Sequence, residues 1–98
     1  AAGGGLGNTG QTTVQRTLVI GNSGTANGAG GNLVGGGILN FAFTGPTQLT
    51  LVDSVVTANK LTASPAITPL GGGIFTDSVF TITGTVVAGN QPDQCFGC

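Results

Sequence analysis

Three stretches of the chain alternate apolar and polar residues with a period of two and close on asparagine: TTVQRTLVIGN ending at Asn22, LTLVDSVVTAN at Asn59 and FTITGTVVAGN at Asn90. Alternation of this kind sends successive side chains to opposite faces of a β-strand. Counting back from each asparagine predicts an inward face. It holds Ala58, Val56, Leu51 and Leu49 in the second stretch, once the Asp53–Ser54 bend is allowed for. The same columns hold Gly21, Val19, Val14 and Thr12 in the first stretch and Gly89, Val87, Ile82 and Phe80 in the third. No apolar set recurs at helical spacing, and Pro46, Pro65, Pro69 and Pro92 all fall in connectors, so helix is not expected.

Each stretch follows a glycine triplet and one aliphatic residue: Gly3–Gly5 with Leu6, Gly35–Gly37 with Ile38, and Gly71–Gly73 with Ile74. The triplets recur after 32 and 36 residues and the closing asparagines after 37 and 31, so a fixed unit carries variable loops. Such a unit buries its apolar face against a neighbouring copy of itself. The expected fold is therefore all-β: one β-solenoid domain over residues 1–98, of about three coils with uncapped ends, and with repeats at about 3–34, 35–70 and 71–98. Leu39–Gln48 is a loop insertion. Leu33–Val34 and Pro69–Leu70 imply a short third strand in each coil, and SGTANGAGGN, residues 23–32, reads as an ordered loop rather than a linker.

The pattern GGGI-x5-FTIT-x-TVVAGN resembles the coils of right-handed parallel β-helix repeats in secreted bacterial proteins, the pectate-lyase-like superfamily. The QPDQC segment that follows is similar to the end of some such arrays. The resemblance implies a right-handed parallel β-helix in which Asn22, Asn59 and Asn90 stack as a ladder at one turn. Asparagine suits that place because it tolerates left-handed backbone and its amide can bond to the next copy.

Twenty glycines and five aromatic residues leave little bulk for a thick core, and a thin, one-dimensional one is expected. The charges are Arg16 and Lys60 against Asp53, Asp77 and Asp93, net −1, so nucleic acid and anionic lipid are not expected as partners. No apolar run approaches the roughly 18 residues of a membrane span. The chain begins Ala-Ala-Gly without Met or a charged leader and is expected to be the mature form of a secreted, extracellular protein.

The glycine triplets lack the Lys and Ser or Thr of a phosphate loop, since Ile38–Leu39 and Ile74–Phe75 follow them. The three aspartates occupy unlike places in their units. They build neither a calcium site of 6 to 8 oxygens nor a facing carboxylate pair. Arg16 and Asp53 share a column and read as a surface ion pair. With no histidine to serve as general base, no catalytic residue, cofactor or metal site is assigned and no enzyme is expected.

Cys95 and Cys98 are too few for zinc and lack a thioredoxin-like setting, which leaves a structural disulfide that pins the last turn. Leu18, Val55 and Val86 form a second apolar stripe opposite Val19, Val56 and Val87. Cover from the chain's own loops is its plain reading and a partner the alternative. Twelve residues follow Asn22 before the next triplet and 11 follow Asn59. Eight follow Asn90, or 10 when Ala1 and Ala2 of another copy are added. Head-to-tail stacking is therefore expected to give an extracellular filament, with Val14 and Val19 of one copy resting on Ile82 and Val87 of the next. A fragment of a longer β-helix that binds cell-surface or matrix polysaccharide is the alternative. Ice binding through Thr50, Thr81 and Thr83 is weaker, because Gln15 and Val52 interrupt the second threonine column.

Overall fold

The computed structural model describes residues 4–28, 32–43 and 45–98. Ala1–Gly3 of the expected copy-to-copy junction and first glycine triplet, Ala29–Gly31 of the expected ordered loop and Thr44 of the expected loop insertion lie outside the described residues. Among the described residues there is no helix, and the strands run, in order, β1 Leu6–Asn8, β2 Gln11–Gln15, β3 Leu18–Ile20, β4 Ser23–Ala26, β5 Leu33–Val34, β6 Ile38–Asn40, β7 Gln48–Val52, β8 Val55–Thr57, β9 Lys60–Ala63, β10 Pro69–Leu70, β11 Ile74–Thr76, β12 Val79–Thr83, β13 Val86–Ala88 and β14 Cys95–Phe96.

Every strand pairing among the described residues is parallel, and each joins one sequence unit to the next except that of β11 with β14, both of the third unit. The sheets are β1-β6-β11-β14, β2-β7-β12, β3-β8-β13, β4-β9 and β5-β10. The chain is thus all-β, with parallel strands in stacked sheets, and successive sequence units lie against one another as layers. Their registers bring together Leu6, Ile38 and Ile74; Thr12, Leu49 and Phe80; Val14, Leu51 and Ile82; and Val19, Val56 and Val87. These inward columns form the core, in which Ile38, Leu49, Leu51, Val56 and Ile74 are fully buried.

Gly21, Ala58 and Gly89 depart from the expected inward face. They are exposed corner residues with φ of 70°, 56° and 68°. The left-handed turn therefore falls one residue before each asparagine, because the chain must bend there for the amide to point inward. A second correction concerns residues 23–32. Their first four form β4, which pairs with β9. Leu33, Leu61 and Ile67 build a small second core beneath these strands, with Ala26 and Ala63 packed against it. Leu61 has room because its partner in register is Gly24. A Cβ on Gly24 would stand 2.9 Å from Leu61 Cδ2.

The expectation of uncapped ends is corrected on the C-terminal side. After Asn90 the chain takes a short cut. Gln91 bridges Lys60, residues 92–93 cross to the third glycine triplet, and β14 pairs with β11 as the start of a further layer. The strands β12 and β13 have no such cover, since each lies at an edge of its sheet.

Candidate functional site

Among the described residues, no group of three or more His, Cys, Asp or Glu could hold a metal ion. The features that distinguish one part of the surface from another are the polar ladders inside the turns and the two end faces of the stack.

Asn22, Asn59 and Asn90 stand one above another. Asn22 donates from its backbone N and from Nδ2 to Asn59 Oδ1, both at 3.0 Å. Asn59 donates in the same way to Asn90 Oδ1, at 3.0 and 2.9 Å. The second asparagine also reaches Val19 O and the third reaches Val56 O, so each amide ties its turn to the preceding layer. The third glycine of each triplet lies under this ladder. A Cβ on Gly37 would stand 2.9 Å from the Asn59 amide, and one on Gly73 would stand 2.7 Å from that of Asn90. Glycine triplet and closing asparagine are therefore two halves of one contact.

Gln94 completes the ladder. Its Oε1 accepts from Asn90 N and Asn90 Nδ2, both at 3.0 Å, the same pair of bonds that the next layer's asparagine accepts lower down. Its Nε2 donates back to Asn90 O. Asp93 O accepts from Gly73 N, Asp93 Oδ1 from Gly72 N, and Gln94 O from Ile74 N. Cys95 tops the column of Leu6, Ile38 and Ile74, and Phe96 stacks on Phe75 with ring centroids 5.4 Å apart. Cys95 and Cys98 are joined by a disulfide that closes this last turn.

Two further ladders escaped the reading of the sequence. Asn8 Nδ2 donates to Asn40 Oδ1 and Asn40 Nδ2 to Thr76 Oγ1, all three residues being buried. At the next corner Thr17 N donates to Ser54 Oγ and Ser54 N to Thr85 Oγ1. The signal for the first was available, since each of its residues follows the aliphatic residue of its triplet by two places.

At the N-terminal face the strands β1, β2, β3 and β4 are each at an edge. A cavity of about 590 Å³ opens there, lined by Leu6, Val14, Val19 and Asn22 among others. No described residue donates to Asn22 Oδ1. At the C-terminal face Ile82 is 44% exposed, with Phe80 and Val87 half-buried beside it. On the outer surface Leu18 is 58% and Val86 56% exposed, with half-buried Val55 between them, so no described loop covers the two ends of this stripe. Arg16 and Asp53 do stack at a corner, but they make no ion pair. Both hold left-handed backbone, with φ of 46° and 49°. Thr13, Thr50 and Thr81 align as one column, while Thr83 pairs with Val52 and that in turn with Gln15.

No protein-family model, curated protein or solved structure matches the chain.

Proposed function

We propose that the chain is a non-enzymatic structural protein: a right-handed parallel β-helix of about three coils that joins copies of itself head to tail into an extracellular filament. The observation that supports this most is the state of the inward columns at their ends. Leu51 is fully buried between Val14 and Ile82, yet Ile82 remains 44% exposed and Val14 lines an open cavity. Unpaired parallel edges beside such columns invite another strand layer. A second copy is the occupant that fits, because its first layer carries the register that the third layer already makes with the second. Right-handed winding follows from the general preference of parallel crossovers. The disulfide suits an oxidising, extracellular setting.

The test is a polar capping segment placed before Ala1, which covers the N-terminal face and leaves each layer intact. Sedimentation of the unmodified chain should show association that grows with concentration, and negative-stain images should show rods. The capped chain should stay monomeric. Equal association of the capped and unmodified chains would refute the reading.

A further inference from the structure

We infer that Pro92–Cys98 is an exchangeable latch, which holds the C-terminal face closed by imitating the first layer of an incoming copy. This rests on the head-to-tail reading above and adds its regulation. The imitation is made at two separate points. Gln91 itself still belongs to the third layer, since it bridges Lys60 from the side opposite Ser23. Cys95 pairs with Ile74 as Ile74 pairs with Ile38, on the side away from β1, which is the place of an incoming Leu6. Gln94 Oε1 accepts the two bonds from Asn90 that an incoming Asn22 Oδ1 would accept, and the Asn22 oxygen accepts from no described residue in its own chain.

The imitation is incomplete in a way that matters. The latch covers β11 but leaves β12 and β13 at sheet edges. A copy bringing β1, β2 and β3 would cover all three strands, and so would displace the latch with a net gain of buried apolar surface at Phe80, Ile82 and Val87. While the latch is in place the incoming β1 meets β14, so the two compete for one site.

The disulfide sets the balance of that competition. It ties Cys98 back to Cys95 and keeps the latch from fraying strand by strand. Reduction by a dithiol passes two electrons and two protons to the Cys95–Cys98 bond, yielding two thiols while the reductant leaves as its own disulfide. The freed segment then yields β11 more readily, and elongation is favoured.

The experiment compares the full chain oxidised, the full chain reduced with a dithiol, and Gln94→Ala, each with and without the N-terminal capping segment. Reduction and Gln94→Ala should each strengthen association at least about tenfold in sedimentation, the equivalent of about 1.4 kcal/mol. The capped versions of all three should stay monomeric. In the capped, reduced monomer the Gly73 and Ile74 amides should exchange hydrogen faster than in the oxidised one, while Leu51 keeps its protection. That contrast separates latch opening from unfolding. If Gln94→Ala also loses protection at Leu51, the reduced chain decides alone. Identical association of oxidised and reduced chains, with capping still abolishing it, would overturn the latch and leave head-to-tail assembly standing. Undiminished association after capping would overturn both.

Discussion

The middle layer and the two outer layers are built from nearly the same sequence pattern, yet they are physically different places. In the middle, Ile38, Leu49, Leu51 and Val56 are fully buried and Asn59 both donates and accepts along its ladder. In the first layer the aligned residues line an open cavity. In the third Phe80, Ile82 and Val87 lie partly exposed, whereas Ile74 and Asn90 are buried beneath the latch. A residue's energetic weight here is set by how many neighbouring layers it has, as expected where stability is a sum of unit and nearest-neighbour terms.

The largest expected effect follows directly. Leu51→Ala should cost about 3–5 kcal/mol, the range for a buried leucine that leaves a cavity. Ile82→Ala, one layer away in the same column, should cost about 1 kcal/mol, because much of its surface is already in water. Urea denaturation of the N-terminally capped monomer measures both. Equal costs would break the comparison. A cost at Ile82 that rises in the associating chain would sharpen it, since a neighbour's Val14 would then cover that residue.

The ladder should show the same asymmetry on a smaller scale. Asn59→Ala removes the oxygen that takes two donors from Asn22 and the amide that reaches Val19 O and Asn90, from a side chain that is itself buried. A loss of about 3 kcal/mol is expected from donors left unsatisfied. Asn22→Ala leaves no layer below it without a partner and should cost about 1 kcal/mol. Thermal unfolding of the two capped variants, followed by circular dichroism, distinguishes the cases.

Much of this layering was legible in the sequence, and the failures have physical causes. The columns headed by Val14, Val19 and Leu6 could be read because a period-two pattern repeated three times leaves little freedom of register. The count failed at Gly21, Ala58 and Gly89 because it was carried through a corner, where strand periodicity no longer holds. β4 was hidden by Gly24 and Gly28, although its partner Lys60–Ala63 carries a clear alternation. The Asn8–Asn40 ladder was obscured by Thr76, which performs the third asparagine's role with a hydroxyl. The closing of the C-terminal face lay furthest from view. Gln94 reaches the ladder with a longer side chain from a different point on the backbone, so no alignment of repeats would place it beside Asn59 and Asn90.

The corner itself offers the smallest and most controlled comparison. Gly21, Ala58 and Gly89 occupy one column with φ of 70°, 56° and 68°, and only the middle layer places a side chain there. An L-residue in this region suffers a clash of its Cβ that glycine avoids, while glycine loses more chain entropy on folding. The first effect is the larger, so Ala58→Gly should stabilise the protein by about 0.5–1 kcal/mol. The reverse changes test whether backbone strain or packing governs the column. A Cβ at Gly21 would meet nothing within 4 Å, whereas one at Gly89 would stand 3.2 Å from Thr57 Oγ1. If strain governs, Gly21→Ala and Gly89→Ala should each cost about 1 kcal/mol in urea denaturation of the capped monomer. If packing governs, Gly89→Ala alone should be destabilising. A neutral Ala58→Gly together with a neutral Gly21→Ala would show that this corner carries no strain, and that the middle layer differs from its neighbours only through burial.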